Sequence, residues 1–147
     1  MNNKTCFFIG SRYASGSIKP QLAETVEKHI TKYGVTTFTV GHYGNFDKIV
    51  IGVLKEAKNR HQNIKLYLLE PYALDKKVDT PENFDNTFYP EGLEFVPKRY
   101  AIAQANRYMI QNSDYLISHY PGVGNTRKLT EYAQKLEKKG LIKVTLL

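Results

Sequence analysis

The sequence predicts an α/β fold in which helices cover both faces of a parallel sheet. Short runs of apolar and β-branched residues alternate along the chain with stretches whose apolar residues recur every three or four positions. The first pattern is typical of buried strands and the second of amphipathic helices. The predicted strands begin near residues 5, 36, 64, 115 and 142, and all but one of these intervals match the length of a βαβ unit.

The first half of the chain is predicted to hold three strands and two helices. The strands are residues 5–9, 36–40 and 64–69. Glycine ends the first two of them, at Gly10 and Gly41, after runs rich in apolar or β-branched residues. The first helix begins near Pro20 and stops at Gly34, and the second covers residues 46–57 with one continuous apolar stripe.

The second half is predicted to hold two strands and two helices. The helices cover residues 100–111 and 129–136, and Gly140 caps the last one. The strands are residues 115–118 and 142–146. Five strands and four helices give a three-layer Rossmann-like domain with a five-stranded parallel sheet, for which we expect the strand order 3-2-1-4-5.

One connection is longer than the others. The third and fourth strands are separated by about twenty residues more than a βαβ unit needs, and the excess lies at about residues 70–97. Between Glu70 and Glu94 this segment has seven acidic residues against two lysines, and four prolines lie within or beside it. We expect it to be an acidic insertion or lid within a single domain of residues 1–147.

Composition excludes several classes of protein. A length of 147 residues fits one domain, and a net charge of +7 favours an anionic partner. A membrane span needs about 20 consecutive apolar residues, and no stretch of the sequence approaches this length. A secretory signal is missing as well. We therefore expect a cytoplasmic protein without a membrane partner. The single cysteine and the four scattered histidines lack metal-ligand spacing, so no metal is predicted.

Ligands bind open parallel sheets beyond the carboxyl ends of the strands. Three predicted loops lie there, residues 10–17, 41–47 and 120–127, and each combines glycine with polar residues. The helices that follow would direct free N–H groups to the same edge, which favours an anion. No dinucleotide fingerprint is present, because Arg127 stands in place of its third glycine, and no P-loop spacing or lysine is found.

The residue types of these loops suit a phosphate-bearing ligand. Arg12 and Arg127 offer guanidinium groups that can bind a phosphate bidentately. Asn45 or Asp47 is expected to cap the second helix, and Asp47 can alternatively accept hydrogen bonds from a sugar or base. We expect the phosphate cradle to comprise Gly10, Ser11, Arg12, Gly41, Gly44, Gly122, Gly124 and Thr126.

Short segments spread over the chain form a distinctive set. They are residues 7–12, 40–41, 44–47, 89–94, 96–102, 106–110 and 113–115. Together they resemble the SLOG superfamily, the Rossmann-like group that contains the Smf/DprA proteins and the LOG phosphoribohydrolases. More narrowly, the chain is similar to an uncharacterised SLOG-type family of bacteria, found mainly in Firmicutes. The resemblance spans nearly the whole chain.

The resemblance implies that a nucleotide or nucleotide-derived ligand binds in the three loops. It also brings Glu91, Lys98, Arg99, Asn106 and Arg107 to the site. Arg99 and Arg107 are eight residues apart and therefore lie broadly on one side of the predicted third helix. The Lys98–Arg99 pair at the start of this helix opposes the helix dipole, which indicates an anionic ligand or the acidic insertion as a partner.

Three functions are compatible with these residues. LOG enzymes carry a catalytic glutamate where this chain has Lys128 and Leu129, which favours a binding or sensing module without a cofactor. The alternative is hydrolysis of an N-glycosidic bond in a nucleotide, with a carboxylate from Asp47, Glu91 or Glu131. A second alternative is binding of single-stranded nucleic acid, as in Smf/DprA proteins, which the basic body favours and the acidic insertion opposes. The resemblance also makes a homodimer an expected assembly.

Overall fold

A computed structural model of the chain describes residues 3–72, 80–122 and 124–147. The strands in these ranges are β1 (Lys4–Gly10), β2 (Val35–Val40), β3 (Lys65–Leu69), β4 (Asn86–Phe88), β5 (Tyr115–His119) and β6 (Lys143–Leu146). The α-helices are α1 (Lys19–Thr31), α2 (Asn45–Arg60), α3 (Ala101–Gln111) and α4 (Asn125–Lys138).

All six strands pair in parallel in one sheet with the order β4-β3-β2-β1-β5-β6. From β1 the chain moves outward through β2 and β3 to β4, and it then crosses to the other side of β1 to form β5 and β6. The direction of winding therefore reverses between β1 and β5, where Gly10 is the register partner of His119. Such a reversal opens a crevice at the carboxyl ends of the two strands.

Each face of the sheet is covered by two helices, and alternate residues of β1 point to opposite faces. Cys6 and Phe8 pack in the part of the core that α1 and α2 cover. Phe7 and Ile9 pack in the part under α3 and α4. All four side chains are buried. Burial on both faces explains why the central strands are continuous apolar runs in the sequence.

The α/β class and the all-parallel sheet with helices are confirmed, but the number of strands is not. The prediction of five strands is wrong because Asn86–Phe88 forms a sixth strand, β4, beside β3. The observed order therefore differs from 3-2-1-4-5 by this strand, which lies at the edge of the sheet. In the described part of the chain, no helix is long and apolar enough to cross a membrane.

The predicted insertion at about residues 70–97 is only partly described, because residues 73–79 lie outside the described ranges. Its later part packs on the sheet. Phe84 is buried in the core, and the Asp85 carboxylate accepts a hydrogen bond from the Leu66 N–H at 2.8 Å. Lys58 pairs with the same carboxylate at 3.4 Å. Residues 84–88 thus belong to the edge of the sheet, and a lid function of the insertion stays a prediction.

Gly10 ends β1 at a point where the Phe46 ring packs directly on its α-carbon. A Cβ at position 10 would lie 2.1 Å from Cγ of Phe46, whose side chain is fully buried. We expect Gly10→Ala to lower the free energy of unfolding by about 1–3 kcal/mol, because a packed ring has to move. Urea denaturation followed by circular dichroism measures this change.

Gly52→Ala is the matched control, because a Cβ at position 52 meets no atom within 4 Å. Gly52 lies inside α2, so alanine is expected to raise the free energy of unfolding by about 0.5–1 kcal/mol. Equal effects of the two substitutions would contradict the packing of Phe46 on Gly10.

Candidate functional site

The loops after β1 and β5 are joined at the reversal of the sheet. The Ser11 N–H donates to the His119 carbonyl at 3.0 Å, which extends the pairing of the two strands by one bond. The Thr126 hydroxyl at the start of α4 donates to the Gly10 carbonyl at 3.2 Å. These two contacts hold the first and third predicted loops side by side at the carboxyl edge.

The loop after β2 packs closely on the loop after β1. The N–H groups of Asn45 and Phe46 donate to the carbonyls of Arg12 and Ser11, at 3.1 and 3.3 Å respectively. At Gly44 a Cβ would lie 2.7 Å from Cα of Arg12, so only glycine allows the two backbones to approach this closely. The first two donors of α2 are therefore used within the protein.

The Phe46 ring forms the floor of this edge. It lies against Gly10, and its centroid is 6.0 Å from that of the His119 ring, with which it stacks. An apolar side chain thus fills the space beneath the loops after β1 and β5. A ligand at this edge has to lie above the ring, next to the loop backbone.

The start of α4 differs from that of α2. The N–H groups of Asn125 and Thr126 form no hydrogen bond to the described residues, and no side chain caps the helix. Gly124 precedes them with φ of 128°, a backbone conformation that favours glycine. Two free donors at the positive end of a helix dipole suit an anion.

The loop after β1 carries two polar side chains, Ser11 and Arg12, directly after Gly10, whose carbonyl accepts the hydrogen bond from Thr126. Arg12 is exposed and follows Gly10, the partner of Thr126, by two residues. The Ser11 hydroxyl accepts a hydrogen bond from the Tyr13 N–H at 3.1 Å, which leaves its own proton free to be donated. Both side chains can therefore bind an anion.

The predicted residues on α4 are paired with each other. Nε of Arg127 lies 2.9 Å from Oε1 of Glu131, and both side chains are about half exposed. This i,i+4 pair lies on the outer surface of the helix. Glu131, one of the three candidate catalytic carboxylates, is thus engaged by Arg127 rather than held in a buried position.

The residues that the resemblance adds from the segment before β5 have other contacts. The Arg107 guanidinium lies 4.3 Å from the ring centroid of Tyr132, between α3 and α4. Arg99 lies 4.9 Å from the ring of its neighbour, Tyr100. Asn106 is half-buried and Glu91 is exposed. Gly122 and Gly124 are exposed as well.

A second group of polar residues lies at the carboxyl ends of β2 and β3, and we call it the rim cluster: His42, Tyr43, Asp47 and Glu70. Oδ2 of Asp47 accepts a hydrogen bond from the Tyr43 N–H at 3.1 Å, and a Cβ on Gly41 would lie 3.0 Å from the same oxygen. Nε2 of His42 lies 2.9 Å from Oε1 of Glu70, but the two atoms are not aligned as a hydrogen bond. The Glu70 side chain is only 5% exposed.

Burial dominates the electrostatics of the rim cluster. It raises the pKa of Asp47 to about 6, although the Tyr43 N–H and the positive form of His42 act in the opposite direction. Burial, together with the Glu70 carboxylate and Tyr72, raises the pKa of Tyr43 to about 12. Asp47 therefore exchanges its proton close to neutral pH, as groups at functional sites often do.

Comparison with known proteins adds no assignment to this site. No family model matches the chain, and no curated protein is significantly similar to it. Among the residues that the structure describes, no group of three or more His, Cys, Asp or Glu side chains is arranged to hold a metal ion.

Sequence reasoning found only one member of the rim cluster, Asp47, as a site residue. His42 and Tyr43 lie in a predicted glycine-bearing loop, and Glu70 directly follows a predicted strand. In the sequence, Glu70 is counted as part of the acidic insertion, so its position at the carboxyl edge of the sheet is not apparent. Its place immediately after a parallel strand is the signal that marks it as a residue of the ligand edge.

The raised pKa of Asp47 predicts a pH-dependent gain in stability for Asp47→Asn. Between pH 3.8, the ordinary pKa of an aspartate, and about pH 6, the folded protein retains a proton that the unfolded chain has lost. Stability therefore falls as the pH rises through this range. Asparagine keeps an oxygen for the Tyr43 N–H and cannot ionise. Relative to the wild type, the variant should gain about 1–3 kcal/mol in free energy of unfolding between about pH 4 and pH 7. Urea denaturation at several pH values measures this.

Asp85→Asn is a control for which we expect the opposite change in the free energy of unfolding. Burial acts to raise the pKa of Asp85, but the Leu66 N–H and Lys58 outweigh it and lower the pKa. Such a carboxylate stabilises the fold at pH values above 3.8, the ordinary pKa of an aspartate. The stabilisation is lost as the pH falls through the folded-state pKa. Asp85→Asn should therefore destabilise the protein at neutral pH. A pH-independent effect of Asp47→Asn would contradict the account of its environment.

Proposed function

We propose that the protein binds a nucleotide-like anionic small molecule at the carboxyl edge of the sheet, above the ends of β1 and β5. The observation that carries the proposal is the start of α4. The N–H groups of Asn125 and Thr126 have no hydrogen-bond partner among the described residues, and no side chain caps the helix. An anion would accept hydrogen bonds from both donors and interact favourably with the helix dipole.

The place of α4 in the fold supports the same site. The helix follows β5, which pairs with β1 where the direction of winding reverses. Open α/β sheets bind ligands at this point, since the two connections leave it in opposite directions. The start of α2 is a weaker candidate, because its N–H groups at Asn45 and Phe46 already donate to backbone carbonyls.

Charge and side-chain chemistry support an anionic ligand. The chain carries a net charge of +7, and Arg12 is exposed in the loop that Thr126 contacts through Gly10. A guanidinium group can bind a phosphate through two parallel hydrogen bonds. Ser11, Arg12 and the two free donors of α4 are the groups proposed to hold the phosphate, while Arg127 is engaged by Glu131.

Two features of the sequence support a nucleotide bound without turnover. The resemblance to the SLOG superfamily supports a nucleotide as the class of ligand. Lys128 and Leu129 stand where LOG enzymes carry their catalytic glutamate, which supports a binding or sensing module. The proposed ligand is therefore a nucleoside phosphate or a molecule derived from one.

Arg12→Gln tests the phosphate contacts. Isothermal titration of the wild type with nucleoside 5′-monophosphates and ribose 5-phosphate should show saturable binding. The variant should bind the same compounds about tenfold to a hundredfold more weakly, because hydrogen bonds to charged groups contribute about 1.5–3 kcal/mol.

Arg60→Gln is the matched control for the loss of a positive charge. Arg60 lies at the end of α2, at the opposite edge of the sheet, where it pairs with Glu27 at 3.2 Å. Its substitution should leave the affinities unchanged. Equal weakening by both substitutions, or no binding of any of these phosphates to the wild type, would refute the proposed function.

One observation favours hydrolysis of an N-glycosidic bond as a second candidate function. Asp47 has a pKa raised to about 6 by burial, which suits a general acid at neutral pH. The other two carboxylate candidates lack such an environment, since Glu91 is exposed and Glu131 pairs with Arg127. Chromatographic detection of free base after incubation with nucleotides separates the two functions. Release by the wild type and not by Asp47→Asn would favour hydrolysis, whereas no release by the wild type would exclude it for those nucleotides.

A further inference from the structure

Glu70 is a buried carboxylate that lies at ion-pair distance from His42 and accepts no hydrogen bond at Oε1 from the described residues. Its backbone is held by a hydrogen bond from its N–H to the Phe88 carbonyl at 2.8 Å, and its side chain is 5% exposed. Oε1 accepts no hydrogen bond from the described residues, since His42 Nε2 lies at 2.9 Å without the alignment of a hydrogen bond. An ionised carboxylate is an acceptor only, so an aligned N–H donor from a ligand adds a hydrogen bond that the contact with His42 does not supply.

The rest of the rim cluster adds a second carboxylate and an aromatic surface. His42 interacts with both carboxylates: its Nε2 lies 2.9 Å from Oε1 of Glu70, and its positive form lowers the pKa of Asp47 against the effect of burial. The rings of His42 and Tyr43 are 4.3 Å apart and tilted by 30°. Tyr43 is 43% exposed, so one aromatic face remains accessible beside the two acceptors. A flat ring that carries N–H donors suits this combination.

The rim cluster lies within reach of the proposed phosphate site. The cluster is at the ends of β2 and β3, and the free donors of α4 are next to the ends of β1 and β5. Neighbouring strands are about 4.8 Å apart, so Glu70 at the end of β3 lies about 10–14 Å from the ends of β1 and β5 along the edge of the sheet. A nucleoside monophosphate has a comparable span from its phosphate to its base.

We propose that Glu70, with His42 and Asp47 beside it, binds an exocyclic amino group on the base of the ligand and selects for bases that carry one. The inference rests on the proposed function, because it concerns the other end of the same ligand. The amino N–H supplies an aligned hydrogen bond, which the contact between Glu70 and His42 lacks. A base without this amino group cannot make this hydrogen bond, and it therefore binds more weakly.

Matched nucleotides test the selection on the unmodified protein. Isothermal titration compares AMP with purine riboside 5′-monophosphate, and GMP with inosine 5′-monophosphate, since each second compound lacks only the exocyclic amino group. For the tighter-binding pair, removal of the amino group should weaken binding about tenfold or more. Ribose 5-phosphate, which has no base, reports on the phosphate site alone.

Glu70→Leu removes the acceptor and keeps a side chain of similar volume. In this variant the preference for the amino compound should fall to about onefold to twofold, while the affinity for ribose 5-phosphate stays unchanged. Glu24→Leu is the control, because Glu24 is exposed on α1 and does not belong to the rim cluster. It should retain the full preference. The nucleotide comparison on the wild type decides the question even where Glu70→Leu does not fold.

The outcomes separate this inference from the proposed function. Binding of ribose 5-phosphate together with equal affinities within both nucleotide pairs would overturn the role of Glu70 and leave the phosphate site intact. A preference that persists unchanged in a folded Glu70→Leu variant would overturn it as well. Failure of ribose 5-phosphate and of all four nucleotides to bind would overturn both proposals.

Discussion

The Phe46 ring packs on the bare α-carbon of Gly10, and the arrangement of the whole carboxyl edge depends on this contact. A Cβ at position 10 would lie 2.1 Å from the ring, so β1 has to end in glycine for α2 to begin where it does. With the ring in place, the Phe46 N–H reaches the Ser11 carbonyl at 3.3 Å. The first turn of α2 is thereby joined to the loop after β1, and the N–H groups of Asn45 and Phe46 are no longer available to a ligand.

This contact divides the edge into two chemically different parts. At the ends of β1 and β5, the start of α4 presents N–H donors at Asn125 and Thr126, which suit an anion. At the ends of β2 and β3, Asp47 and Glu70 present carboxylates, which suit N–H groups. A ligand with a phosphate at one end and a nitrogen-bearing ring at the other matches both parts. This order of donors and acceptors along one edge is the main reason for preferring a nucleotide-like ligand over a simple anion.

Much of the fold follows from patterns within the sequence, because buried parallel strands and amphipathic helices have strong local signals. The apolar stripe at residues 46–57, for example, lies within α2 (Asn45–Arg60). β4 could not be predicted in this way, since Asn86–Phe88 is short and mostly polar. It forms because it pairs with β3 and because the adjoining Phe84 and Asp85 are anchored in the core and to the Leu66 N–H. Such a strand depends on tertiary contacts rather than on its own residues.

The candidate site shows the same limit. That three glycine-bearing loops meet at one edge is predictable, because parallel strands end on the same side of the sheet. Which helix start keeps N–H groups available to a ligand cannot be predicted from the sequence. This depends on whether the carbonyls of Ser11 and Arg12 accept hydrogen bonds from the start of α2. The environment of Glu70 is equally hidden, because its carboxylate is buried beside His42, a residue distant from it in the sequence.

The amide chemical shifts of isotope-labelled protein during titration with ribose 5-phosphate test the central claim most directly, namely that the start of α4 binds an anion. The account predicts saturable changes that are largest at Ser11, Asn125 and Thr126. Changes concentrated instead at the amino edge of the sheet, near Lys4 and Lys143, would contradict it. Spectra that stay unchanged throughout the titration would contradict it equally.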